Sequence, residues 1–325
     1  MNAWPGCVQA GMTIVELMIS ITLGLLVVMA ATALLVSAKT SYTSQDNAIR
    51  VQETGRYALE IIARSVRQAA YENWDSDEAP VIAAADLSAN IAGLDAHSLK
   101  ESANGIEAAS TASVNGSDVL AVRFFGAGAG SNGDGTIINC AGFGVPAPLS
   151  GETAEQDRGW SIFYVASSNG EPELRCKYRG KSAWASDAIA RGVESFQVLY
   201  GLDSDEDGLP NTFLTATAIN AMDSMLVLEG ADEMARARDR NKKTPWKKIT
   251  VVKVALLVRG ERNSGIGTST VQYDLFGKDY GDAYADRDRG TRIQEKALSA
   301  AARNRIRKTF VLTIQLRNRT VGSEI

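Results

Sequence analysis

Histidine is almost absent from this chain: His97 is the only one in 325 residues. It lies in a polar stretch, and no serine is framed as a nucleophile. Acid–base and nucleophilic catalysis therefore have no visible carrier. Cysteine is scarce too, with Cys7, Cys140 and Cys176 and no CxxC spacing, so a zinc site lacks donors. Aromatic residues make up 7% and are scattered, which leaves no stacking platform, and the formal net charge is −4. Without a clustered basic face, nucleic acid is not an expected partner. One glycine-rich run, Gly126-Ala127-Gly128-Ala129-Gly130, follows an apparent strand and invites a dinucleotide reading. It lacks the third glycine at the proper spacing, and Ser131-Asn132-Gly133-Asp134-Gly135 continues as loop where a helix should start. The run Lys242-Lys243…Lys247-Lys248, broken by Pro245-Trp246, reads as a solvated approach to the next strand. We expect no enzyme.

Charge is also missing from a long stretch near the start. Met12 to Ala38 is a run of 27 residues in which Glu16 is the only charged member. As a helix it would span roughly 40 Å, enough to cross a hydrocarbon core of ~30 Å. Met1 to Gly11 is short and polar, without Lys or Arg, and the chain from Lys39 onward has a soluble composition. One membrane anchor followed by one large head is the simplest reading. Two processing routes fit it. A secretory signal would be cut after Ala31-Thr32-Ala33 or Val36-Ser37-Ala38. That leaves Glu16 without purpose inside the apolar core, at a cost of about 2.5–3.5 kcal/mol. The other route cuts at Gly11–Met12 and keeps the run as a permanent anchor.

The residues around that second cut carry a resemblance. Gly11-Met12-Thr13-Ile14-Val15-Glu16-Leu17-Met18-Ile19 resembles the class III prepilin motif of type IV pilins and type II secretion pseudopilins. Those proteins begin G|F-T-L-I-E-L-[ML]-I and are cut after the glycine, with methylation of the new terminus. The resemblance implies Gly11 as cleavage-site residue, Met12 as methylated first residue, Glu16 as fifth mature residue, and a prepilin peptidase as partner. Met12 stands where Phe is usual, and the leader lacks the usual basic residues. Cleavage creates an α-ammonium at Met12, and in a bundle of subunits the Glu16 carboxylate of one can face the ammonium of another. Opposite charges attract strongly in such low-dielectric surroundings. The bland alternative is a carboxylate that snorkels to the interface.

The helical pattern continues past the membrane segment. Ala48, Val51, Gly55, Ala58, Ile62, Val66 and Ala69 recur at three- and four-residue steps, while Arg56, Glu60, Arg64 and Arg67 take the other face. Glu60 and Arg64 are spaced as an i,i+4 pair. The spacing predicts one helix from about Thr13 to Tyr71, roughly 85–90 Å long. Asn73 to Pro80 reads as the exit loop, and residues 81–116 as mostly loop with short helical pieces. Strands are expected at Val119–Phe125, Trp160–Ala166, Leu174–Tyr178, Val193–Tyr200, Ile249–Arg259 and Thr309–Arg317, with a hairpin loop at residues 167–172. The fold class is α+β, a long N-terminal pilin helix packed on a mainly antiparallel head.

Several blocks sharpen the resemblance: "RYALEIIARSVRQAAY" (56–71), "WSIFYVASSNGEPELRCKY" (160–178), "GVESFQVLYGLDSDEDG" (192–208), "ITVVKVALLVRGE" (249–261) and "KTFVLTIQLRNR" (308–319). They are similar to the PilW family of type IV minor pilins. Residues 212–246 and 262–306 match nothing in it and look like insertions. The resemblance implies a leader at 1–11, a pilin helix at 12–71 with its membrane segment at 12–38, and a head at 72–325. It also implies a minor pilin that helps initiate pilus assembly within a tip or priming complex, serving adhesion or motility. Its partners would be other minor pilins, the major pilin and a tip adhesin. The chain would start as a single pass in the inner membrane with its head in the periplasm, then move to the pilus tip. A type II secretion minor pseudopilin shares the N-terminus but usually has a smaller head. A membrane-anchored calcium-binding module is the reading from another class.

Two further features belong to the head. Cys7 would leave with the leader, so Cys140 and Cys176 are expected to form a disulfide in an oxidising compartment, or else remain two buried thiols. Asp203-Ser204-Asp205-Glu206-Asp207-Gly208-Leu209 reads D-x-D-x-D-G-x, the first half of an EF-hand calcium loop. Asp203, Asp205, Asp207, the Leu209 carbonyl and Asn211 are the candidate ligands. Position 12 is Leu214 rather than a bidentate Glu, so the motif is incomplete. A solvated acidic turn is the alternative, and calcium is the only cofactor expected.

Overall fold

The computed structural model describes residues 11–71, 84–180, 183–262, 264 and 270–317. The expected exit loop at 73–80, Cys7 and most of the leader lie outside the described residues. Helix α1 (Ile14–Arg67) is followed by strands β1 (Ile91–Leu94), β2 (Ser98–Leu99), β3 (Ala109–Ser110) and β4 (Val119–Phe124). A helical turn, α2 (Ala154–Asp157), leads into β5 (Gly159–Ser168), β6 (Glu171–Arg179), β7 (Trp184–Arg191), β8 (Val193–Leu202) and β9 (Thr212–Leu214). Then come α3 (Ala216–Ser224), α4 (Glu233–Lys243), β10 (Ile249–Arg259), β11 (Gln272–Asp274), α5 (Lys278–Tyr284), β12 (Arg292–Gln294) and β13 (Arg307–Gln315). The chain divides into two compact units, Met1–Ile49 and Arg50–Ile325, and the boundary falls inside α1.

The first unit is apolar helix. Its 18-residue membrane-length window has a mean hydropathy of 2.5 and none of it is buried. The hydroxyls it carries are turned back onto the helix: Ser20, Thr22, Thr32 and Thr40 donate to carbonyls three or four residues earlier, at 2.7–3.0 Å. Such back-bonding satisfies a polar group without water, which a lipid-facing helix requires.

In the second unit the rest of α1 buries one stripe. Val51, Gly55, Ala58, Ile62, Val66 and Ala69 are buried as the spacing predicts, while Ala48 is exposed. Glu60 lies 3.9 Å from the guanidinium of Arg67, two turns on, rather than pairing with Arg64. Two antiparallel sheets share the core: one runs β1-β4-β5-β6-β7, the other β13-β10-β8-β9. Ile62 and Val66 of α1, Val122 and Phe163 of the first sheet, and Phe196, Val254 and Phe310 of the second belong to one cluster. Close approach is needed where α1 meets β13. A Cβ on Gly55 would stand 2.3 Å from the Phe310 ring, so only glycine fits without displacement.

The outer faces of the central strands are covered as well. Ala255 and Leu257 of β10 meet Leu275, Ile293 and Leu298 from the 262–306 region. All ten residues of β8 are buried too, so its sequence has no need to alternate. Glu194 of β8 is buried between Arg259 and Arg307, at 2.9 and 2.5 Å. Arg307 also reaches Glu295 at 3.2 Å, tying the same region to the sheet through charge.

The six expected strands all form, some longer than the pattern suggested. The hairpin loop expected at 167–172 contracts to Asn169-Gly170, both at positive φ (52° and 78°). Ser168 pairs directly with Glu171 across this two-residue turn, which suits the right-handed strand twist. Two expectations are corrected. Among the described residues of 84–116 short strands stand beside one helical piece, the 3-10 turn at Val114–Gly116, because Ile91–Leu94 pairs with β4. And α1 ends at Arg67, short of Tyr71: Ala70 takes a positive φ of 57° and its amide donates to Arg123 of β4.

Candidate functional site

Helix α1 begins with a reciprocal cap. The Thr13 hydroxyl accepts from the Glu16 amide at 3.3 Å, and the Glu16 carboxylate accepts from the Thr13 amide and hydroxyl at 3.0 and 2.9 Å. This is the capping box, in which the first and fourth residues of S/T-x-x-E satisfy each other's orphan donors. It holds the Glu16 carboxylate at the positive end of the helix dipole. It also fixes where the helix starts, so Gly11, Met12 and Thr13 stay outside the helix. Met12 is 70% exposed, and nothing lies within 4 Å of the space a Gly11 Cβ would occupy. The Gly11–Met12 bond is thus in open, non-helical backbone. Thr13 is a capping residue that the sequence pattern alone did not single out. Its signal was present, since Thr-x-x-Glu before an apolar run is itself a helix-start signature.

The cysteines of the head are joined, Cys140 to Cys176, across 36 residues of sequence. The bond ties the loop after β4 to β6. The Cys140 amide donates to the Ser161 hydroxyl at 2.9 Å, so the loop is also anchored on β5.

The acidic loop follows β8. The side-chain oxygens of Asp203, Asp205 and Asp207 can lie within 4.8 Å of one another, with Asp203 buried and the other two exposed. Positive φ at Glu206 (64°) and Gly208 (95°) curls the chain, and the Gly208 amide donates to Asp203 at 2.9 Å. Asn211 closes the loop: its side-chain oxygen accepts from the Ser204 amide at 2.6 Å, and its NH2 donates to Asp205 at 3.1 Å. The Leu209 amide donates to Asp207 at 2.7 Å. Lys248 pairs with Glu206 at 3.0 Å and offsets part of the acidity. Three of the five candidate ligands therefore converge through carboxylates, while Asn211 is engaged in holding the loop shut. The Gly126–Gly130 run lies in a loop, where Gly128 and Gly130 adopt positive φ.

A membrane-length N-terminal helix whose second half packs on antiparallel sheets is a pilin-like architecture. Residues 162–318 match the family model described as Type IV Pilus-assembly protein W. The blocks at 192–208 and 249–261 fall within the match, and those at 160–178 and 308–319 overrun it by a residue or two. A search of curated proteins gives no match. Among solved structures, a type IV-like pilin from Thermus thermophilus is similar at 12% identity and a TM-score of 0.38, covering 83% of this chain and 96% of that one.

Proposed function

We propose that this chain is a minor pilin, cut after Gly11, methylated at Met12 and incorporated by lateral packing of α1 into a pilus or its priming complex. The observation that carries this reading is the start of α1. An accessible scissile bond stands next to an acid held at the helix N-terminus, ahead of apolar helix that the chain itself leaves uncovered. Large exposed side chains run along it, among them Ile14 (78%), Val27 (69%) and Leu34 (72%). Surface of that kind is covered by lipid before assembly and by neighbouring helices afterward.

The capping box adds a step to the electrostatics. Before assembly the Glu16 carboxylate is already satisfied by Thr13, so the free subunit carries no orphan acid. Cleavage places a cation one residue before Thr13, and a neighbour's Glu16 can pair with it once helices stack. Either charge left unpaired in the bundle would be costly, so one axial register is favoured.

Mass spectrometry of the mature chain is the deciding measurement. Methylated Met12 at the N-terminus is the expected result, and a terminus at Leu34 or Lys39 rejects the proposal. Substitution at Glu16 separates its two duties. Glu16→Ala should leave processing intact and reduce incorporation, and Glu16→Gln, which still accepts from Thr13, should fail as badly if charge pairing is what counts. A type II secretion minor pseudopilin remains the second pilin-class reading, and deletion separates them by loss of pili or loss of secretion. We propose prepilin peptidase, the major pilin, other minor pilins and a tip adhesin as partners, with the head periplasmic before assembly and at the pilus tip afterward.

The acidic loop supports a second proposal, calcium held by Asp203, Asp205 and Asp207 with further oxygens from the loop backbone and water. Calcium takes 6–8 oxygens, so three carboxylates would give a weak site suited to millimolar supply. Thermal melts of the chain should shift upward with millimolar calcium and not in Asp205→Asn/Asp207→Asn; no shift rejects the ion.

A further inference from the structure

The head contains a cleft of about 510 Å³ between the loop at 131–146, the start of β5 and the far end of β6. That size lies within the ~300–1,000 Å³ range of small-molecule sites. Its walls bring aromatic rings and neutral amides together. Phe143 and Tyr178 stand 5.2 Å apart with their planes tilted by 37°. Trp160 lines the same cleft, with its ring already covered by Arg123 at 4.2 Å from the centroid. Asn132, Gln156 and Arg179 supply polar groups around these rings.

Phe143 is 55% exposed, yet its loop is fixed. The Asn139 side chain accepts from the amides of Ala141 and Phe143 at 3.0 and 3.1 Å, and the Asn139 amide donates to the Phe143 carbonyl at 2.8 Å. The Cys140–Cys176 bond clamps the residue next door. A large apolar ring is thus held at the mouth of a cleft instead of folding away. A ligand meeting it has little ordering left to cause, which favours binding.

Charge narrows the ligand class. Asp157 and Arg179 oppose each other in the lining, and Arg158 sends its guanidinium away to the Ser88 carbonyl at 2.8 Å and to Asn90. The Asp157 carboxylate accepts from the Thr153 hydroxyl at 2.6 Å. One Arg179 N–H goes to the Gln156 carbonyl, which aims the fork while leaving it further donors. No excess of either sign remains, so the cleft is not built for phosphate or a carboxylate. A flat base is also poorly served. The tilted Phe143–Tyr178 pair forms no parallel slot, and Arg123 occupies a face of Trp160. A puckered ring suits these walls better: one face of C–H groups lies on the negative faces of the rings, and hydroxyls reach amides and guanidinium.

We propose that this cleft is a binding site for a neutral pyranose saccharide, held by Phe143, which Tyr178 backs, against its apolar face and by Asn132 and Arg179 at its hydroxyls. The site is independent of the pilin reading and does not rest on processing at Gly11.

The test is saturation-transfer NMR on the full chain in lipid nanodiscs, which avoids glycoside detergents. The probes are the methyl glycosides of glucose, galactose, mannose and N-acetylglucosamine at millimolar concentration, with adenosine and a Gly-Phe-Gly peptide as comparators. At least one glycoside should receive saturation, and the effect should fall at least fivefold in Phe143→Ala and in Arg179→Ala. Phe213→Ala, which alters an exposed ring elsewhere on the head, should leave it unchanged. The proposal is overturned if no glycoside responds, if the response survives both cleft variants, or if only adenosine or the peptide depends on Phe143.

Discussion

Two buried aspartates of the head, Asp118 and Asp288, are held by neutral donors, unlike the arginine-paired Glu194. Asp118 is fully buried and accepts from the amides of Ala96 and Val198, both at 2.9 Å, and burial pushes its carboxyl well above the ordinary range. Asp95 caps helix α3 from another element, accepting from the Ala216 and Thr217 amides at 2.9 and 2.6 Å. Asp288 accepts from the Tyr280 hydroxyl at 2.8 Å. Burial raises its pKa to about 6, the Tyr280 bond opposes that rise, and the nearby charge of Asp95 adds to it. An unfolded aspartate ionises near 3.9. Between those values Asp288 keeps in the folded chain a proton that it has lost in the unfolded one, so its contribution to stability falls as pH rises from about 4 to about 6, then levels. Asp288→Asn should flatten that part of the curve relative to the parent in denaturant melts from pH 4 to 7. Parallel curves for the two proteins would refute the assignment.

At the scale of elements, the contact between α1 and β13 is set by what Gly55 omits. Phe310 is 7% exposed, and its ring fills the space beside that glycine. Gly55→Val should therefore overpack the joint and cost about 1–3 kcal/mol, the usual range for added core volume. Adding Phe310→Leu should recover part of the loss, read as denaturation midpoints of the three variants; an additive loss would place the strain elsewhere. Legibility divides along the same lines. Strands such as Ile249–Arg259 were readable because β-branched runs covered on both faces have few alternatives. Trp184–Arg191 was not, because Trp-Ala-Ser-Asp-Ala-Ile-Ala-Arg is alanine-rich and carries no strand period. It forms an edge strand because β6 offers it a partner, a non-local cause that no local pattern encodes.

For the molecule as a whole, the proposed N-terminal site can be read from the sequence because its residues lie within nine consecutive positions, from Gly11 to Ile19. The disulfide was legible once Cys7 was assigned to the leader, since only one pair then remained. The cleft beside Phe143 was not, because its walls come from loops and strands up to about fifty residues apart and converge only in the fold. The glutamate–arginine cluster around Glu194 was hidden for the same reason: its members run from Glu171 to Arg307.

The joint between Gly55 and Phe310 also has a consequence in time. The two residues are 255 positions apart in the chain. At synthesis rates of ~5–20 residues per second, roughly 13–50 seconds separate their appearance. Throughout that interval the inner stripe of α1, from Val51 to Val66, exists without the strand that completes its cover. A nascent chain with a membrane-length helix already made must therefore keep a second apolar surface sheltered until nearly its last strand emerges. The maturation of this protein has a waiting period written into its topology.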